Sequence, residues 1–424
     1  MNQEPQPKKN NLARRFLSNL GPGLIAGAAD DDPSGVATYS IAGAQLGTSM
    51  LWTALLTWPL MGCVQFMCAR IGMVTGEGLA GGLRKKFPKP VLIIASMALL
   101  VANTANIGAD LAGMADAAEM LTGVTSSLYV IVFGIGIAVA TIVFRYYQIA
   151  SILKWLALTL FAYVIAAFLI GPDWRAVAHD TFVPTWPVGR DAWATLVAIL
   201  GTTISPYLFF WQASQEVEEE KAKGRRMLRE RQGATDKDII KRKIDVGTGT
   251  LFSNLVMYFI ILATAMTLHK HGITRIETSK QAAEALRPMA GEFAYLLYTV
   301  GIIGVGFLAI PTLSGSAAYA FAETFHWEQG LDAKLKQARG FYAVVILSTL
   351  VGIVMDFAGV NPLKALFWTA VINGVLAPFL LVGILLVASD HKLMRNQPSS
   401  RLSRVIVGTT ALAMFAAAIA LFIV

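Results

Sequence analysis

Charge, cysteine and histidine are all scarce in this chain, and each shortage removes a class of function. Only 15% of the 424 residues are Asp, Glu, Lys or Arg, against 55% hydrophobic, and mean hydropathy is +0.57. Soluble domains carry about 25% charged residues, so a water-facing enzyme is excluded and a polytopic membrane protein is expected. The two cysteines, Cys63 and Cys68, share one apolar stretch without metal-ligand or redox spacing, which leaves them as packing residues. The five histidines, His179, His269, His271, His326 and His391, fall at loops or helix ends, and none pairs with a glutamate at metalloprotease spacing. A membrane enzyme therefore has no ligand set to build on, and no cofactor is expected. The net charge of +8 comes from short Lys and Arg clusters between apolar runs, the pattern of the positive-inside rule. Membrane lipid is the expected surrounding, with no nucleic-acid partner and no obligatory protein partner evident. Lys8, Lys9, Arg14 and Arg15 precede no short apolar run with a cleavage site, so no removable signal peptide is expected.

What is present is a succession of apolar segments, each near the roughly 20 residues that a crossing needs, about eleven in all. They fall near 20–46, 49–73, from about 90 on, 127–144, 149–170, 192–214, 245–268, 293–321, 341–355, 362–388 and 405–424. A single transmembrane domain over 1–424 is expected. Lys and Arg concentrate in the tail, in 84–89, at Arg145, and in the loops 221–243, 334–339 and 392–404, which places these on one side. The expected protein is multi-pass in the cell membrane, with the N-terminus cytoplasmic and, after an odd number of spans, the C-terminus outside.

The first span holds the costliest residues of the chain, Asp30-Asp31-Asp32 followed by Pro33-Ser34-Gly35. A carboxylate at membrane depth costs roughly 2.5 to 3.5 kcal/mol even on lenient scales, so such a residue is by default functional and faces a cavity. Pro33 lacks an N–H and clashes with the preceding turn, so the helix breaks here and frees carbonyl oxygens beside the carboxylates. The sixth span carries a second interruption, Thr202-Thr203-Ile204-Ser205-Pro206-Tyr207. Leu20-Gly21 precedes the first break and Leu200-Gly201 the second, five spans later. Five is odd, so the two broken helices run in opposite directions. Paired interruptions in two inverted halves point to a secondary transporter with a binding site at the midplane. The halves are expected at about 16–171 and 191–388, with an extra C-terminal helix at 403–424.

Gly21-Pro22-Gly23, Asp32-Pro33-Ser34-Gly35 and the segment Gly201 to Tyr207 resemble the Nramp divalent-metal transporters, whose motifs there are Gly-Pro-Gly, Asp-Pro-Gly-Asn and Gly-Ala-Thr-Val-Met-Pro-His. The resemblance covers nearly the whole chain. It implies an all-α, leucine-transporter-type fold of five plus five inverted spans with helices one and six broken. It makes Asp32 the metal-binding aspartate, Pro33 the first helix breaker and Pro206 the second. Gly35 stands where the family has a metal-binding Asn, Thr202 where it offers an Ala carbonyl, Ser205 where it has a Met thioether and Tyr207 where it has a His. Asp110 matches a proton-route aspartate, but Gly113 stands where its Glu partner would be. Ala370 replaces a usual Gln ligand, with Asn373 one turn on. In these departures the chain resembles a remote, magnesium-transporting branch of the family.

The expected metal site is thus Asp32, Asp31, Gly35, Thr202 and Ser205, with Tyr207, Asp110, Asn373 and Thr203 as gating or supporting residues. A thioether helps retain soft ions and has no use for Mg²⁺, which demands oxygen ligands and keeps several waters. Ser205 removes the thioether, Gly35 opens volume, and the hydroxyls of Thr202, Thr203 and Ser205 can hold bound waters. Asp30 and Asp31 serve either as ligands or as attractors in the vestibule. Asn103, Asn106 and Asp110 lie on one face of the third span, and the two amides are expected to hold helices together rather than touch substrate. The expected function is import of a hard divalent cation by alternating access, Mg²⁺ first and Mn²⁺ as well, with weak or absent proton coupling. The alternatives are a proton-coupled Mn²⁺/Fe²⁺ transporter of the standard type, or an organic-substrate carrier of the same fold, which three clustered aspartates disfavour.

Overall fold

The computed structural model describes residues 22–144, 158–331 and 333–423, and every regular element among them is helical. The helices that build the bundle are α1 (Pro22–Asp30), α2 (Pro33–Leu46), α3 (Leu51–Thr75), α4 (Lys89–Thr122), α5 (Ser126–Val143), α6 (Ala162–Ile170), α7 (Arg190–Thr203), α8 (Pro206–Ala222), α9 (Asp236–Thr267), α10 (Ala294–Phe325), α11 (Arg339–Asp356), α12 (Pro362–Ala388) and α13 (Arg401–Ile423). Among the described residues, nine stretches are long and apolar enough to cross a membrane. The first of these, Pro33–Thr75, has 43 residues, about twice one crossing, and is interrupted at Gly47, whose φ of 61° suits glycine. It therefore holds the second half of span one and all of span two. Thr159–Ile170 is the described end of span five, whose expected start at 149 lies outside the described residues.

Both expected breaks are present, and they are narrower than the sequence suggests. Only Asp31 and Asp32 separate α1 from α2, and only Ile204 and Ser205 separate α7 from α8. In each case proline occupies the first turn of the second half-helix, where its missing N–H costs nothing. The residue before it is extended, as proline requires: Asp32 has φ −62° and ψ 171°, Ser205 φ −77° and ψ 132°. Pro59, Pro311 and Pro378 sit inside continuous helices, so proline alone does not decide a break.

Two helices start or end far from where hydropathy places them. α9 begins at Asp236 rather than near Asp245, because Thr235 and Asp238 form a reciprocal capping box. α8 runs to Ala222 through the acidic run, with Lys221 bonded to Glu218 at 2.9 Å one turn away.

Two sets of helices pack closely, and α12 on α4 and α8 on α10 join them. α4, α5, α10 and α11 pack on one another, while α9 packs on α1, α2 and α3, α8 packs on α3, and α12 packs on α7. Small residues bring the broken helices close to their neighbours. A Cβ on Gly27 would lie 2.3 Å from Gly249 O of α9, and one on Gly201 would lie 2.0 Å from Ala370 O of α12. In lipid such close backbone approach is a main source of helix association. The broken sixth span is accordingly central, with 94% of its apolar window buried against 22% for α5.

Candidate functional site

Asp32 caps the N-terminus of α2, and its carboxylate is held on both oxygens. Oδ1 accepts from the Ser34 hydroxyl at 2.6 Å and from Gly35 N at 2.7 Å. Oδ2 accepts from Asn106 Nδ2 of α4 at 3.0 Å. The same amide nitrogen donates to Asp110 Oδ2 at 3.1 Å, so one asparagine bridges the two carboxylates. Asp32 is 2% exposed, and Asn106 and Asp110 are fully buried. Asn106 Oδ1 and Asp110 Oδ1 have no hydrogen-bond partner among the described residues.

Asp30 and Asp31 turn the other way, toward α9. The Ser253 hydroxyl lies 2.6 Å from Asp30 Oδ2 and 3.1 Å from Asp31 Oδ1. Each aspartate keeps one buried oxygen, Asp30 Oδ1 and Asp31 Oδ2, without a hydrogen-bond partner. Consecutive residues at a helix end project in different directions, which separates these two carboxylates from the Asp32–Asp110 pair. Among the described residues, no three His, Cys, Asp or Glu side chains form a ready-made ligand cluster. Any cation here would draw on carbonyls, hydroxyls and water as well.

The second break is lined by hydroxyls and carbonyls. The Ser205 hydroxyl donates to the carbonyls of Gly201 at 2.6 Å and Thr202 at 2.7 Å, and Thr203 donates to Ile199 O at 2.8 Å. Thr202 lies 3.0 Å from Ile199 O and 3.1 Å from the Tyr39 hydroxyl of α2. These hydroxyl protons are committed to the protein, which leaves each oxygen's remaining lone pairs as acceptors. The volume expected beside Gly35 is small: a Cβ there would lie 3.3 Å from Asp30 O and 3.5 Å from Asp32 Oδ1.

Tyr207 joins the two breaks directly, since its hydroxyl donates to Ala29 O at 2.9 Å. That carbonyl is among the last of α1, which have no partner within their own helix. Asn373, on α12, is 2% exposed and its Oδ1 finds no hydrogen bond among the described residues. At Gly113 a Cβ would lie 2.8 Å from Leu366 Cδ1, so a side chain there would have to displace the end of that leucine.

The far end of α1 is held by a charge cluster that sequence reading did not reveal. Arg242 of α9 bonds Glu216 of α8 at 2.7 Å, Asp245 at 2.6 Å, and also Glu219. Asp245 Oδ2 accepts in addition from Gly23 N at 2.9 Å. One further residue was missed at the site itself. Ser253 lies in an apolar helix and carries no sequence signal. Asn103 and Asn106 both link helices as expected: Asn103 donates to Leu313 O at 2.8 Å and Ser316 Oγ at 2.9 Å, and Asn106 reaches from α4 to Asp32 at the first break, where it also meets the Asp110 carboxylate. The signal for Asn106 was its spacing of four from Asp110, on the same helical face.

A membrane bundle whose first and sixth spans are both broken, the first beside three buried carboxylates, belongs to the class of secondary transporters with a leucine-transporter-type fold. Solved structures agree on that fold. The manganese transporter of Eremococcus coleocola superposes with a TM-score of 0.68 at 17% identity, covering 98% of this chain and 90% of that one. MhsT in complex with L-phenylalanine superposes with a TM-score of 0.60 at 14% identity, covering 94% and 98%. Residues 23–424 match the family model described as natural resistance-associated macrophage protein-like. The chain is 26% identical over 409 residues to the divalent metal cation transporter MntH of Caldanaerobacter subterraneus subsp. tengcongensis, covering 92% of this chain and 89% of the relative. It is 26% identical over 432 residues to MntH of Mesorhizobium japonicum, covering 98% and 89%. The chain belongs to the Nramp family, which is a family of membrane transporters and not of enzymes.

Proposed function

We propose that this protein imports a hard divalent cation, Mg²⁺ first and Mn²⁺ as well, at the junction of the two helix breaks. The observation that carries the reading is the donor set. Residues 28–35 and 201–207 contain no Met, Cys or His, so these two segments can offer only oxygen, from Asp32, from the carbonyls of the broken turns and from Thr202 and Ser205. Hard cations take such ligands, and a thioether is what favours softer ones. The relatives' names, divalent metal cation transporter and manganese transporter, support the divalent class.

The energy source proposed is voltage and concentration, with weak or absent proton cotransport. Tyr207 and Gly113 replace the His and Glu that the family associates with proton movement, and neither titrates near neutrality. The membrane potential gives roughly 2.3 kcal/mol per charge per 100 mV, hence about 4.6 kcal/mol for a divalent ion. That supports an accumulation on the order of a thousandfold. A proton-coupled Mn²⁺/Fe²⁺ transporter is the second reading. It is supported by the relatives' names and by the Asp32–Asn106–Asp110 bridge, which joins two buried carboxylates.

The proposal includes inverted halves at about 16–171 and 191–388, an extra helix at 403–424, a cytoplasmic N-terminus and an external C-terminus. The packing of α9 on the first span and of α8 on α3 supports this pairing, because the two contacts exchange under such a repeat. The test is uptake into liposomes. Asp32→Ala should abolish divalent uptake in a folded protein, and retained uptake removes the site. With a pH reporter inside, Mg²⁺ or Mn²⁺ entry should cause little acidification; strong acidification under clamped potential assigns the protein to the second reading.

A further inference from the structure

A carboxylate oxygen offers two in-plane lone pairs, and the structure accounts for three of the four on Asp32. Both on Oδ1 are taken, one by the Ser34 hydroxyl at 2.6 Å and one by Gly35 N at 2.7 Å. On Oδ2 one is taken by Asn106 Nδ2 at 3.0 Å. Ser34 and Asp32 are each 2% exposed and Asn106 is fully buried, so water does not compete for these bonds. A cation meeting Asp32 therefore finds one lone pair, on Oδ2, and Asp32 binds it through a single oxygen.

That restriction separates cations by coordination number. Ca²⁺ takes about 6 to 8 oxygens and often fills its shell with carboxylates bound through both oxygens. Mg²⁺ is octahedral, keeps several waters and is served by single-oxygen carboxylates. Of the three bonds, the Gly35 amide follows from the helix start itself, and Asn106 leaves Oδ2 half free. The Ser34 hydroxyl is the one side-chain group that closes Oδ1.

We infer that Ser34 is a specificity-determining residue, which holds Asp32 to one-point ligation through Oδ2 and thereby excludes Ca²⁺ from a site that admits Mg²⁺. The inference rests on the reading of Asp32 as a cation ligand. Ser34 acts through Asp32, as a positioning residue, and need not touch the ion.

The experiment compares Ca²⁺ and Mg²⁺ uptake by the full-length protein in liposomes for the wild type, Ser34→Ala, Ser34→Thr and Asp32→Ala. The wild type should carry Ca²⁺ far more slowly than Mg²⁺. Ser34→Ala should raise the Ca²⁺/Mg²⁺ ratio by about tenfold or more, equivalent to ~1.4 kcal/mol of discrimination. Ser34→Thr keeps the hydroxyl and should restore the wild-type ratio, which a purely structural role of Ser34 would not produce. Ser34→Gly removes the same hydroxyl and replaces the alanine variant if that variant does not fold. A wild type that carries Ca²⁺ as well as Mg²⁺, or hydroxyl-free variants whose ratio is unchanged, overturns the inference. If Asp32→Ala abolishes uptake while the Ser34 variants keep the ratio, only the role of Ser34 falls; if Asp32→Ala transports normally, the ligand reading itself falls.

Discussion

Arg242 is the residue whose loss should cost this protein the most stability. Its side chain is 7% exposed, and its guanidinium faces the side chains of Glu216, 2% exposed, Asp245, 1% exposed, and Glu219, 31% exposed. Removing one partner from a buried ion pair costs about 3–5 kcal/mol, because the charge left behind is uncompensated. Arg242→Met keeps much of the apolar stem and leaves Glu216 and Asp245 buried without their cation, so a loss of about that size is expected. Glu219 is partly in water, and Glu219→Gln should cost no more than about 1 kcal/mol. Neutralising the buried set together, with Arg242→Met, Glu216→Gln and Asp245→Asn, should recover most of the loss, since no buried charge then stands alone. The assay is thermal unfolding of the detergent-solubilised protein, read as a rank order across the variants. An Arg242→Met protein as stable as Glu219→Gln would refute the reasoning. So would a triple variant no better than the single one.

Tyr207→Phe removes the hydroxyl that satisfies Ala29 O, and a buried acceptor left without a partner costs about 1–3 kcal/mol. It should lower thermal stability and slow uptake together; a phenylalanine variant matching wild type in both would show that the bridge between the breaks is idle. Gly201→Ala puts a Cβ within 2.0 Å of Ala370 O, so α7 and α12 must separate, with a stability cost of about 1–3 kcal/mol or more. A normal unfolding profile for that variant would mean the helices are farther apart than described. Ser205→Met brings a thioether to the second break and should raise the preference for Cd²⁺ over Mg²⁺ by on the order of tenfold, about 1.4 kcal/mol. Competition of Cd²⁺ against Mg²⁺ uptake measures it, and a native protein that already prefers Cd²⁺ strongly would contradict the oxygen-donor argument.

The sequence by itself determined the spans and the breaks. Hydropathy locates crossings because lipid tolerates few unpaired polar groups, and an extended Asp or Ser before proline at the first turn of a helix is a local event that neighbours in the chain decide. Hence Asp32-Pro33 and Ser205-Pro206 were readable at once, and Asp32 could be singled out as the carboxylate at the break. Helix ends outside the apolar window were less legible: hydropathy placed the start of α9 too late, because the capping box of Thr235 and Asp238 extends the helix into a polar segment.

Which way each aspartate faces is a different kind of fact, decided only by the tertiary structure. Asp31 and Asp32 are neighbours in the chain, yet one meets Ser253 of α9 and the other Asn106 of α4, residues more than 200 and 70 positions away. Three adjacent carboxylates in the sequence look like one acidic cluster, and the fold divides them because each must find its donor on whichever helix packs against that side of the turn. The same holds for Tyr207 and Ala29, and for Arg242 and Gly23 through Asp245. Hydrogen bonds between helices depend on crossing positions set by close glycine contacts such as Gly27 on Gly249, and no local pattern in either segment encodes where the other will lie.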